Sequence, residues 1–326
     1  MKHNISHSFL TSMQFCERRA YVFSKYGLGY EDGGNNKAMN LGRAIHKLLE
    51  NYHVVGQPIA QHNHLKTSFQ SVIKDDMSNI SILTDALVIV TQYERWLHRI
   101  IKEDHWYTKL IVLSQEEKVT HNRVTGVFDL RVTDGVKHYI LDFKTTGGQL
   151  MLFERTIRSS EQFMLYCKLA QQIGYGSDGI IVVALKTKSV SPTTILLKNG
   201  KVSVAKNNPT SYEVFSKYLE DTQRPRYMYE EHLLWLLNEG ASNKVYKHTY
   251  PQKALDIAYR KVLRRQQRID KIDSLEDCDY NQTFTCPVKC PIYNQCTNMM
   301  YGLEPDFSHL TKRKQKVNMR FVFGDK

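Results

Sequence analysis

Apolar positions along the chain change rhythm twice. In GRAIHKLLENYH, Ile45, Leu48, Leu49 and Tyr52 recur at helical spacing, and SILTDALVIVTQYERWLHRI predicts a second helix over much of Ser81 to Ile100. Residues 1–55 read as mostly helical, interrupted by the polar, Gly- and Asn-rich EDGGNN around Asp32 to Asn36. The pattern then shortens. KLIVLSQEEKV, RVTGVFDLRVTDG and KHYILDFKTT predict successive strands, with Asp134-Gly135 turning between the last two. After Gly147-Gly148, SEQFMLYCKLAQQIG predicts a helix with Phe163, Tyr166, Leu169 and Ala170 on one face. GIIVVALKT and SPTTILLKNG predict two further strands. Helical spacing returns in TSYEVFSKYLE and YEEHLLWLLNE. In ALDIAYRKVLRRQQRIDKI it sets Arg260, Arg264, Arg268 and Lys271 on one side, with Leu255, Ala258, Val262 and Ile269 on the other.

These rhythms divide the chain into a helical region over 1–100, a strand-rich α/β core over 101–200 and a basic helical region over 201–326. No internal repeat is evident. A chain of 326 residues suffices for one elaborated catalytic domain or a core with a smaller lobe. With 41% hydrophobic and 24% charged residues, the composition excludes a disordered chain. Apolar runs such as Ile180 to Leu185 are far too short to span a membrane, and MKHNISHSFLTSMQF lacks the apolar segment of a secretory signal. The expectation is a soluble, intracellular protein, cytoplasmic or in another DNA-associated compartment. A net charge of +12 favours a polyanionic partner through counterion release. The closing LTKRKQKVNMR reads either as a phosphate-contacting arm or as a solvated tail.

The densest chemistry lies in GVFD, Gly126 to Asp129, and LDFKTT, Leu141 to Thr146. A hairpin brings Asp129 and Asp142 together, and paired carboxylates suit Mg²⁺ or Mn²⁺ with positions left for phosphate oxygens. Asp142 stands between Ile140-Leu141 and Phe143, so its burial calls for a compensating partner. Lys144, two residues on, points to the same side of the strand. It can orient the attacking water or offset charge on the phosphate. His46 offers a ring nitrogen, a ligand that slightly favours manganese over magnesium. Gln162 and Tyr166, four residues apart, share a helical face from which an amide and a phenol can reach nucleic acid. Glu116 and Glu117 are read as exposed charges on a β edge, with an approach to the metal through water as the lesser reading.

In chain order GRAIH, GVFD, DFK and QFMLY resemble the GxxxH, GxxD, DxK and QxxxY motifs of RecB-type enzymes in the PD-(D/E)XK nuclease superfamily. The resemblance implies a mixed central β-sheet flanked by helices, a restriction-endonuclease-like core with helical additions. It also implies that His46, Asp129, Asp142 and the carbonyl of Phe143 hold the metal, and that Lys144 is the catalytic lysine. Gln162 and Tyr166 then lie beside DNA. The activity implied is exonucleolytic, on ends or single strands, in recombination, replication or repair, with a helicase or recombination protein as a partner. The alternative is a catalytically inactive nuclease-fold subunit that binds DNA or accompanies a helicase or recombinase. No GxxxxGK[ST] pattern is present, so the chain supplies no ATP motor of that type.

FCERRAYVFSKYG, from Phe15, resembles the cysteine-containing start of RecB-type, AddB-like and CRISPR-associated exonucleases. Its counterpart is CPVKCPIYNQC near the end of the chain. Cys16, Cys286, Cys290 and Cys296 are therefore assigned to a [4Fe–4S] cluster, with zinc as the alternative occupant. Three residues separate Cys286 from Cys290 where the family usually has two, so Cys278 is a candidate replacement ligand. Cys167 is read as a buried apolar residue.

Overall fold

The computed structural model describes residues 5–6, 9, 16–25, 28–29, 37–75, 80–147, 150–187, 197, 200–205, 210–238, 243–272, 274, 277–279, 292–301, 303–304 and 311–312. They fall into two compact units. The larger comprises Lys37–Glu117 and Val127–Pro251, and the smaller comprises Met1–Asn36, Lys118–Gly126 and Gln252–Lys326.

To keep the elements in chain order, the short strands β1 (Ile5–Ser6) and β2 (Leu28–Gly29) and helix α1 (Glu17–Lys25) come first. The larger unit begins with α2 (Lys37–Tyr52), α3 (Leu65–Asp75) and α4 (Ile80–Lys102). The i, i+3, i+4, i+7 spacing of Ile45, Leu48, Leu49 and Tyr52 gives α2 one fully buried face. That face joins Val90, Tyr93 and Leu97 of α4 and Leu141, Phe143, Ile181 and Val183 of the sheet in a single core. The strands are β3 (Ile111–His121), β4 (Val124–Thr133), β5 (His138–Thr146), β6 (Gly179–Lys186) and β7 (Asn243–His248). β3 pairs with β4, β4 runs antiparallel to β5, β5 parallel to β6, and β6 antiparallel to β7. This is the expected mixed α/β sheet flanked by helices.

The parallel β5–β6 pair requires a crossover, supplied by α5 (Leu150–Ser159) and α6 (Glu161–Gln172). A strand covered on both faces needs no polar alternation, which explains why Ile180 to Leu185 is an unbroken apolar run, buried throughout. At the start of β6 only glycine fits, since a Cβ on Gly179 would stand 2.3 Å from the carbonyl oxygen of His248. Helices α7 (Tyr212–Asp221) and α8 (Glu230–Asn238) close on their own satellite core of Val214, Phe215, Leu219, Leu233 and Leu236.

In the smaller unit, β1 lies parallel to Val124–Thr125, and β2 pairs with β8 (Thr311–Lys312). The first 55 residues are thus not uniformly helical, since β1 and β2 interrupt them. Asn122 and Arg123 both have positive φ, 48° and 66°, the geometry of a two-residue hairpin turn. Asn tolerates that conformation and Arg does not, but here the Arg123 guanidinium forks onto Asp270 at 3.0 and 2.6 Å. Asp270 follows α9 (Gln252–Ile269), whose Leu255, Ala258, Val262 and Ile269 are buried as their spacing predicts. Most of the strand expected over SPTTILLKNG, and the tail LTKRKQKVNMR beyond Lys312, lie outside the described residues. No helix among the described residues is long and apolar enough to cross a membrane.

Candidate metal centre

The β4–β5 register sets Leu130 opposite Leu141, so Asp129 and Asp142 stand one step further along, each on its own strand. Opposite residues of an antiparallel pair face the same side, and the two carboxylates are therefore presented together. Asp129 Oδ2 accepts the backbone N–H of Phe143 at 2.7 Å, which locks its carboxylate onto β5. The same oxygen lies 3.2 Å from Nδ1 of His46. Burial alone lowers the His46 imidazole, but the bond and attraction to Asp129 outweigh it and raise its pKa. Gly42, one turn before His46, lies close to β5, where a Cβ would stand in ordinary contact with Thr145 Oγ1 at 3.4 Å.

Asp142 is only 2% exposed. Burial, reinforced by the Asp129 charge and opposed by Lys144, pushes it up to about 6. Lys144 Nζ lies 2.8 Å from Asp142 Oδ2. Burial works against the ammonium, yet Asp142 and Asp129 hold its pKa above the ordinary lysine value. The contact is close without being well directed, so Oδ2 has no aligned hydrogen-bond donor among the described residues. Between the two, Phe143 turns its ring inward, stacked on His53 at 5.7 Å. On α6, Gln162 donates to the Tyr166 hydroxyl at 2.9 Å. Phe163 of that helix stands under Lys144, with Nζ 5.5 Å from the ring centre. Burial, and then the Asp142 charge, raise the pKa of Tyr166, so it is a neutral hydroxyl donor.

Glu116 is exposed on β3, as expected of an edge charge, but its backbone is not that of an ordinary strand residue. Its backbone has φ 44°, a left-handed conformation inside a strand that costs on the order of 1–3 kcal/mol for a residue with a Cβ. The side chain brings a carboxylate oxygen within 4.8 Å of one ligand atom each from His46 and Asp129, which are equally near each other. Burial, Asp129 and Glu50 push its carboxyl up to about 7. Glu117 is instead half-buried and satisfied locally. It pairs with Arg131 at 3.2 Å, and Arg131 also lies 3.9 Å over the Tyr175 ring. The alternation of β3 gave no signal for Glu116, because a left-handed residue breaks the period that such a reading uses.

One imidazole and several carboxylates form the donor set expected for Mg²⁺ or Mn²⁺. Ligands opposite one another on an ion with bonds of about 2.1 Å lie about 4.2 Å apart, so the spacing of the group fits such an ion. Oδ2 of Asp142 is a further buried oxygen at the centre, its charge offset by Lys144 at 2.8 Å.

The cysteines belong to the smaller unit, apart from Cys167, which is buried in α6 with its thiol pushed up to about 11 by desolvation. Cys16, Cys278 and Cys296 are buried, while Cys286 and Cys290 lie outside the described residues. Cys16 immediately precedes α1, and Cys296 lies in α10 (Tyr293–Met300). Arg268 forks onto Glu17 at 3.1 and 2.7 Å, and Glu17 also accepts the N–H of Asp279 at 2.8 Å. These bonds draw the segment around Cys278 to the start of α1. They also engage Arg268, one of the four basic residues on that side of α9, with an acidic partner. Cys278 donates its thiol to the Ser274 carbonyl at 3.6 Å, and burial pushes it up to about 12.

A family model described as the PD-(D/E)XK nuclease superfamily matches residues 4–297. No curated protein matches the chain.

Proposed function

The chain belongs to the PD-(D/E)XK nuclease superfamily, and from that premise we propose that it is a Mg²⁺- or Mn²⁺-dependent deoxyribonuclease acting on DNA ends or single strands. The observation that carries this reading is the convergence of four groups. Asp129 and Asp142 lie side by side on antiparallel strands, with His46 at 3.2 Å from one and Lys144 at 2.8 Å from the other.

His46, Asp129, Asp142 and the carbonyl of Phe143 are the residues that would hold the cation. When bound, the cation polarises the phosphate and makes water a stronger nucleophile. The bond from Phe143 N–H to Asp129 keeps that carboxylate from rotating away, which is a positioning role. Lys144, held charged by its acidic neighbours, offers N–H donors to the attacking water and offsets charge gathering on the phosphate. Gln162 and Tyr166 present a polar edge and an aromatic face suited to nucleotides. Arg260, Arg264 and Lys271 of the α9 region are the candidates for backbone phosphates, a contact type that carries little sequence preference. A helicase or recombination protein as partner fits an exonuclease that acts on opened strands.

In the smaller unit we read Cys16, Cys286, Cys290 and Cys296 as [4Fe–4S] ligands, with zinc the alternative. Cys278, whose thiol donates to the Ser274 carbonyl in the metal-free chain, is the candidate replacement ligand. The role of the site is to tie the two ends of the chain into one folded unit.

The test is cleavage of short labelled single- and double-stranded DNA with Mg²⁺ or Mn²⁺, alongside iron and sulfide analysis of anaerobically purified protein. Shortening of strands from an end is expected, and it should vanish in an Asp142→Ala, Lys144→Ala pair. DNA binding without metal-dependent hydrolysis would replace the enzyme with an inactive nuclease-fold subunit. Bound zinc without iron would replace the cluster.

A further inference from the structure

Among the described acidic residues of the larger unit, Glu116 combines a geometry that the motifs leave unexplained with a place beside the motif residues. It sits in a strand yet adopts φ 44°, while the next residue, Glu117, turns to Arg131. The left-handed step re-aims the Glu116 side chain toward α2 and β4, where its carboxylate joins His46 and Asp129 within 4.8 Å. In the absence of a cation this is an unfavourable place for it. Asp129 and Glu50 act on it as like charges and outweigh the opposing pull of His46 and Lys47. A backbone held against its preference persists where its surroundings over-determine it, and such residues gather at ligand sites. Asp142, buried on the strand beside Asp129, is already paired with Lys144 at 2.8 Å, which engages the lysine of this centre.

We propose that Glu116 is a protein ligand of the divalent cation, occupying the position beside His46 and Asp129. This deepens the proposed function and rests on it, since it presupposes a cation at Asp129. It adds a third carboxylate to the two on the hairpin. The cation at this place is then gripped from β3, from helix α2 and from β4, three elements of one compact unit. A harder, more negative donor set also selects against thiophilic metals.

The experiment measures Mn²⁺ binding by calorimetry, with thermal unfolding with and without Mn²⁺, for the full chain and its Glu116→Gln, Glu116→Gly and Asp129→Asn variants. Glutamine keeps the shape of the side chain and removes its charge. Glycine removes the side chain and also relaxes the left-handed backbone. The expected result is at least about a tenfold loss of Mn²⁺ affinity in both Glu116 variants, as loss of a metal-site partner typically brings. The metal-free melting temperature should meanwhile rise or hold, highest for Glu116→Gly. A residue that merely supports the strand would lower that temperature and leave affinity alone, which would overturn the inference. Undiminished affinity in the Glu116 variants, beside a clear loss in Asp129→Asn, would overturn this inference and leave the proposed metal centre standing. No Mn²⁺ binding by the unaltered chain would overturn both. Should glutamine misfold, the glycine variant still decides the question, because its backbone effect is favourable.

Discussion

His53 shows how a residue outside the candidate site still answers to it. Its ring is fully enclosed, stacks on Phe143 at 5.7 Å and meets the Tyr93 hydroxyl at 3.1 Å. Burial, with a smaller contribution from His62, pushes it down to about 3. The unfolded chain takes up that proton near pH 6.5, while the folded chain does not until pH is close to 3. The neutral ring therefore contributes stability that is fully present above about pH 6.5 and is lost as pH falls toward 3. We expect unfolding free energy to decline in that window, with this one group adding a slope of up to about 1.4 kcal/mol per pH unit. His53→Phe should abolish that part of the slope in denaturant titrations at pH 4, 5 and 6. It should cost roughly 1–3 kcal/mol at neutral pH, because the Tyr93 hydroxyl keeps only Tyr107, at 2.8 Å. Lys144 makes the complementary case. Lys144→Met leaves the Asp142 carboxylate buried without its cation, so Asp142 should titrate still higher than about 6 in the absence of metal. DNA cleavage should fall by about 10²–10⁴-fold, the range for losing a positioned proton donor. Retained cleavage with a folded protein would remove lysine from the mechanism.

Elements were legible where their own sequence carried their burial. The β4–β5 hairpin announced itself through alternation and Asp134-Gly135, and both motif aspartates fall at the position the register gives them. Helices α2, α4, α6 and α9 were readable because each buries one stripe and exposes the rest. Strand β7 was not, since Lys244, Lys247 and His248 in NKVYKH hide the pairing of an edge strand with β6. Helix α5 was also missed, lying directly after the glycine pair in a connection that sequence alone leaves open. Arg268 shows a limit of a different kind. Helical spacing gives the face a side chain leaves from, but not the acidic partner, Glu17, that claims it from 251 residues away. Gly42 is the element-scale test of how α2 delivers His46. Gly42→Ala should fit, since a bare Cβ only touches Thr145, and should gain up to about 1 kcal/mol from helix propensity. Gly42→Ile should force α2 away from β5 and weaken Mn²⁺ binding without touching a ligand. Equal Mn²⁺ affinity in the two variants, read by calorimetry, would show that close approach is not what places the histidine.

At the scale of the whole chain, folding order and chemistry are separable. Every residue of the candidate centre, from His46 through Glu116, Asp129, Asp142 and Lys144 to Gln162 and Tyr166, belongs to the larger unit. The buried cysteines at both ends of the chain belong to the smaller one, together with the Arg268–Glu17 fork. The hairpin tip, 118–126, is also counted with the smaller unit, where His121 meets the Tyr259 hydroxyl at 2.6 Å and Gln266 donates to Asn122 at 3.0 Å. A polypeptide of residues 37–251 therefore keeps all the metal-site side chains and the main core but strips the tip of every one of those partners. Arg123 then holds a left-handed backbone with no Asp270 to compensate it. Hydrogen exchange of this polypeptide should show fast exchange confined to 118–126. Protection should persist in β5 and β6, whose parallel register runs unbroken from Tyr139–Gly179 to Thr146–Lys186. It should also bind Mn²⁺ and gain thermal stability from it, because a ligand that binds only the folded form adds RT ln(1 + [L]/Kd). If exchange were instead fast throughout the sheet, the smaller unit would be a requirement for the core to fold at all.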